Sequence, residues 1–172
     1  RISIYCFSAF CAACAGLVAI GGPSVRAGAA SPQLAVVDSR GDVLSSDPLP
    51  ESGRWCLHWN HSVSGIPVRD CFRADATGLW LTDTLQPDFA AGLGHIPGRG
   101  QLRQTPDGAY LIEGIDERIP GDCLRLRVGR APVSHRIVFD DGRTRDLTAR
   151  ASGTQVGIGV RPSTLQTGQP PC

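Results

Sequence analysis

Apolar and polar positions alternate with a period of two over short runs, and no long segment keeps a 3.6-residue apolar period. Residues 34–38 predict a first strand, ended by Ser39-Arg40-Gly41-Asp42. Residues 47–53 predict a turn-rich connection. Further strands are predicted at residues 55–63, 68–74, 79–85, 109–112, 123–128, 134–139 and 143–147, each bounded by Gly, Pro, Asp or Ser. Asp140-Asp141-Gly142 is a hairpin signal between the last two. Residues 86–100 carry two Pro and four Gly and predict a loop. About eight short strands with turns about every ten residues predict an all-β fold, an antiparallel β-sandwich or a partly closed barrel. The β-rich domain is expected over residues 31–150 and a polar tail over 151–172.

Residues 2–25 contain no charged side chain. The run is apolar and small, and Ala27-x-Ala29 after it matches a signal-peptidase site. Residues 1–30 are expected to be a cleaved signal peptide or a retained membrane anchor, since about 21 apolar residues can span a bilayer. Both place the remaining chain in the periplasm or another extracytoplasmic space, and the membrane would be met only through this segment.

The chain has 172 residues and a formal net charge of +1. Without residues 1–30, two of the 17 basic residues and no acid are lost, leaving 15 against 16. This balance argues against a nucleic-acid binder, which carries a basic stripe. All the basic residues are Arg, so P-loop and Schiff-base lysine chemistry is excluded. Beyond residue 30 lie Cys56, Cys71, Cys123 and Cys172; four cysteines permit two disulfides in three connectivities.

The segment richest in chemistry is Trp55-Cys56-Leu57-His58-Trp59-Asn60-His61-Ser62-Val63. As a strand it puts Trp55, Leu57, Trp59, His61 and Val63 on one face. With a four-residue loop, residues 64–67, the next strand would set Val68 opposite Val63, Asp70 opposite His61 and Phe72 opposite Trp59. A His61–Asp70 pair could fix the imidazole tautomer and raise its pKa for acid–base work or ligand anchoring. The same pair could simply satisfy two polar groups and hold the sheet register, which is the favoured expectation.

Ser62 would point away from His61, so a serine-hydrolase arrangement is not expected. His58 and His61 would lie on opposite faces, which disfavours zinc; no metal and no cofactor are expected. Gly92-Leu93-Gly94-His95 lacks the surrounding strand–helix–strand pattern of a dinucleotide site. Gly92 and Gly94 suit a loop of special backbone conformation, and His95 within it is a ligand-contact candidate. His135 shares parity with Ile137 and Phe139, leaving its face open.

His61-Ser62-Val63, followed by Pro67-Val68 and the acid Asp70, resembles the signature of a small exported family, the domain-of-unknown-function family 1850. Gly92-x-Gly94 with Pro97, and Leu126-Arg127-Val128 with His135, are similar to later parts of it. The resemblance spans about residues 34–150. It departs in having Asp70 where Glu is usual and a longer stretch before Pro97. Members are commonly encoded beside TAXI-type TRAP transporters. The resemblance therefore implies an accessory of solute uptake, with a TAXI-type solute receptor, a TRAP membrane subunit or a small organic solute as partner. His61, Ser62, Asp70, Gly92, Gly94, His95 and His135 are the binding candidates. The competing expectations are a small hydrolase or isomerase using His61 and Asp70, and a purely structural secreted β domain. Catalysis is the less favoured of these, and no catalytic residue is assigned.

Overall fold

Alternation of buried and exposed side chains dictates two stacked antiparallel sheets. The computed structural model describes residues 31–89 and 94–161. The strands are β1 (Gln33–Asp38), β2 (Val43–Pro48), β3 (Arg54–Asn60), β4 (Pro67–Asp75), β5 (Gly78–Gln86), β6 (Gln101–Gln104), β7 (Tyr110–Arg118), β8 (Cys123–Arg127), β9 (Arg136–Phe139), β10 (Thr144–Asp146) and β11 (Gln155–Arg161). One short helix, α1 (Leu147–Ala151), precedes β11. The small sheet has the order β2-β1-β11-β8 and the large one β10-β9-β3-β4-β5-β7-β6, with no closed barrel. The all-β sandwich expected from the pattern is therefore present, with more strands than the alternation marks.

Trp55, Leu57, Phe72, Ile137 and Phe139 on the large sheet face Leu34, Val36, Val156 and Ile158 on the small one, and together they form the apolar core. Trp55 and Phe72 are cross-strand partners whose rings stack at 4.5 Å. Such aromatic pairs contribute beyond the area they bury. Along one side the edges of the two sheets are latched. Arg145 on β10 meets the buried carboxylate of Asp47 on β2 at 2.5 Å, and Arg143 donates to the carbonyl of Pro48 at 2.6 Å.

Three local expectations change. Residues 43–48 form an edge strand, ending on Pro48, where a missing ladder donor costs least. Part of the expected polar tail is β11, which lies beside β1 inside the small sheet. Its Val156-Gly157-Ile158-Gly159-Val160 does alternate, but Gly occupies every second position, opposite Val37 and Ala35, and masks the strand. Finally, β3 stops at Asn60, not at residue 63.

Candidate functional site

The β3–β4 hairpin positions the residues singled out from the sequence, in a register different from the expected one. Trp59 lies opposite Val68, Leu57 opposite Asp70 and Trp55 opposite Phe72. The connection is the six-residue turn 61–66, in which His61 N–H donates to the Ile66 carbonyl and Gly65 N–H to the His61 carbonyl. The expected pairs Val63–Val68, His61–Asp70 and Trp59–Phe72 are not formed. The slip is four residues, an even number, so every apolar side chain keeps its face. What selects this register is Cys56–Cys71, a disulfide between directly opposed residues with Cα atoms 4.0 Å apart. The four-residue alternative would pull these cysteines out of reach.

Asp70 consequently serves other groups. Its Oδ2 accepts from the indole Nε1–H of Trp59 at 2.8 Å, and its Oδ1 from the Thr84 hydroxyl at 2.7 Å. Thr84 is its direct partner on β5 and Trp59 its diagonal neighbour on β3. Both carboxylate oxygens thus hold hydrogen bonds within the sheet.

His61 lies in the turn, half-buried. Its Nδ1 accepts from the amides of Val63 and Ser64 at 3.3 and 3.2 Å, capping the turn from its own side chain. A neutral imidazole that accepts at Nδ1 carries its proton on Nε2. His61 is therefore an Nε2–H donor, with no hydrogen bond from that nitrogen among the described residues. Ser62 and Val63 beside it are exposed, Val63 at 85%.

His135 sits just before β9 and is buried. Its Nδ1 accepts from Gly129 N–H at 2.9 Å, so it too is the Nε2–H tautomer. The Thr148 hydroxyl ties this loop together, accepting from His135 N–H and donating to the Gly129 carbonyl. Asn60 fastens the same loop to β3, its N–H donating to the Val133 carbonyl and its side-chain amide to the Pro132 carbonyl. The loop passes so close to itself that a Cβ on Gly129 would lie 2.4 Å from Val133. Burial pushes the His135 imidazole below its usual pKa, favouring the neutral form.

Trp59 is the hub that sequence reasoning passed over. Its ring lies 6.0 Å from that of His61 and 6.1 Å from that of His135, nearly parallel to the latter. His61, Asp70 and His135 are thus brought together through Trp59 and not through one another. The signal was its shared face with Asp70 along the hairpin. The glycine loop stays apart from this cluster: Gly94 is exposed, His95 Nε2 lies 3.3 Å from the Gly100 carbonyl, and Gly92 lies outside the described residues. The opposite face of the same hairpin carries a second constellation, in which His58 stands between Arg136 and Arg69. Burial, then the charges of Arg136 and Arg69, holds the His58 imidazole below its usual pKa.

Among the described residues, no group of three or more His, Cys, Asp or Glu is placed to hold a metal ion, and no helix is long and apolar enough to cross a membrane. No curated protein and no solved structure matches the chain. A domain of unknown function, DUF1850, matches residues 56–147, from the first disulfide cysteine to the first residue of α1. With more than half of its length matched, the chain belongs to the DUF1850 family.

Proposed function

We propose that this protein is an extracytoplasmic binding domain, an accessory of a TRAP/TAXI-type solute uptake system that contacts its partner through the turn after β3. The observation that carries this reading is the division of roles around Trp59. Asp70 and His135 brace the indole from inside the fold, while His61, Ser62 and Val63 project from the turn. The projecting set combines an imidazole N–H, a hydroxyl and an exposed apolar side chain, a surface suited to a protein partner with a carbonyl-rich rim. The Cys56–Cys71 disulfide supports residence outside the reducing cytoplasm. The uncharged segment 2–25 supports export.

The test is titration of a TAXI-type solute receptor with wild-type protein and with the His61→Gln and Val63→Asp variants, each checked for an unchanged thermal transition. Saturable binding by wild type, weakened at least tenfold by either variant, supports the reading. A receptor that ignores wild type, or binds all three proteins equally, overturns it. The enzyme reading with a His61–Asp70 dyad finds no support in the geometry, because both oxygens of Asp70 are engaged by Trp59 and Thr84.

A further inference from the structure

The outward face of the large sheet carries a row of basic side chains that the fold neutralises only in part. Register places Arg136 on β9 directly opposite His58 on β3, and His58 directly opposite Arg69 on β4. Adjacent strands lie about 4.8 Å apart, so the row spans about 10 Å of backbone. Arg54 and Arg73 are opposed in the same way four residues along the hairpin. The Cys56–Cys71 disulfide lies between the two rows and rigidifies the platform.

The partners of these groups separate them. Arg73 pairs with Asp75, and Arg54 reaches Asp83 at 3.2 Å. Arg69 comes no nearer than 4.0 Å to that same Asp83, and its Nε is buried without a hydrogen-bond partner. The Arg136 side chain, which has Asp146 of β10 as its cross-strand neighbour, makes no ion pair or hydrogen bond among the described residues, and the His58 side chain makes none either. A half-buried guanidinium with an unmet donor is costly unless something accepts from it. Beside Arg69 opens a cleft of about 410 Å³, lined also by Arg54, Arg73 and Thr82 and by the acids Asp83, Glu113 and Asp116, with His58 and Arg136 outside its lining. That volume lies within the range of small-ligand sites.

We propose that Arg69, His58 and Arg136 form a binding site for a small multivalent oxyanion, a carboxylate or phosphate compound of at least two negative charges. Two guanidiniums, Arg136 without an ion pair and Arg69 held by Asp83 only at 4.0 Å, match two charges, and each offers the planar fork that pairs with an oxyanion through parallel N–H bonds. The imidazole between them donates a third hydrogen bond when protonated, so the anion draws a proton onto His58. The site lies on the opposite face of β3 from Trp59 and does not depend on a partner docking at the turn.

Citrate and inorganic phosphate are the probes, titrated into the full protein at constant ionic strength set with chloride. Binding is read by calorimetry, and the His58 ring by its NMR titration. The expected result is saturable binding of at least one probe, with the His58 midpoint moved to higher pH. Arg69→Gln and Arg136→Gln should each weaken binding tenfold or more, whereas Arg125→Gln on the exposed part of β8 should leave it unchanged. Citrate binding without phosphate binding assigns the site to carboxylates, and the reverse assigns it to phosphates. Non-saturable shifts with both probes, or equal affinity in the wild type and the Arg69→Gln/Arg136→Gln double variant, would overturn the proposal. Thermal transitions of the variants separate lost binding from lost folding.

Discussion

The indole N–H of Trp59 donates to Oδ2 of Asp70 at 2.8 Å, diagonally across the β3–β4 pair. Asp70 is the acid of the family-like signature, and this bond turns it from an expected partner of His61 into the brace of Trp59. Its other oxygen takes the Thr84 hydroxyl, so the carboxylate needs both acceptors. Asp70→Asn retains one acceptor and sets an N–H₂ group against the remaining donor. It should lower stability by about 1–3 kcal/mol. Trp59→Phe, which keeps the ring and removes the donor, should cost less than Asp70→Asn. Urea unfolding of the two variants and their double mutant checks this, with strong non-additivity expected for residues in direct contact.

Much of the fold was legible because a period-two pattern reports burial directly: Trp55, Leu57, Val68, Phe72, Ile137 and Phe139 all point inward as their alternation requires. Register was not legible from that pattern. Shifts of two or four residues conserve every face, so matching apolar pairs across a hairpin cannot choose between them. Cys56 and Cys71 could have chosen, since two cysteines on facing strands demand opposition if they are bonded. The site was half legible for the same reason. His61, Asp70 and His135 do gather at one place, but through Trp59, and His135 arrives from a loop distant in sequence that no local pattern could position.

The disulfide that selects the register should also carry much of the hairpin's stability. Cys56 and Cys71 are 15 residues apart, and a cross-link closing a loop of that size is worth about 3 kcal/mol through the unfolded chain. The Cys56→Ala/Cys71→Ala double variant should lose stability of that order. Its hairpin register is also expected to loosen, since the apolar pattern tolerates slippage. Denaturant unfolding measures the first effect. Hydrogen exchange of the β3–β4 ladder amides measures the second, with protection falling more there than in β1 and β11.

The latch between β10 and β2 makes a separate prediction. The Asp47 side chain is 7% exposed and that of Arg145 35%, so the pair is sheltered without being sealed. Arg145→Ala leaves the buried carboxylate without its cation and should destabilise by roughly 2 kcal/mol. Replacing both, with Asp47→Ala and Arg145→Ala together, should recover part of that loss, because the stranded charge is gone. A double-mutant cycle by urea unfolding gives the coupling. A purely additive result would show that the two edges are held by the Arg143 bond to Pro48 and by packing alone.

Stability should fall on mild acidification, and the histidines set the window. His135 is depressed by burial, and His58 by burial and then by Arg136 on β9 and Arg69 on β4. In the unfolded chain both return to about 6.5. Below that pH the unfolded state takes up protons that the folded state refuses, so folding stability decreases as pH falls. The limiting slope is about 1.4 kcal/mol per pH unit for each histidine, and it levels off once the folded pKa is passed. Carboxylates add their own loss only at lower pH. Asp122, for one, is held below the usual range by Arg118 and by the amide of Leu79. Urea unfolding at pH 7.5 and 5.5, in a buffer without multivalent anions, should therefore show a lower stability at pH 5.5. His135→Gln keeps an acceptor for Gly129 N–H and cannot titrate, so it should flatten this dependence by one histidine's share. His58→Gln should remove the other share, and an unchanged slope in both variants would place the proton uptake elsewhere in the fold. Adding citrate or phosphate should weaken the acid dependence of wild type and leave that of His58→Gln unaltered, because the bound anion lets the folded state accept the proton on His58.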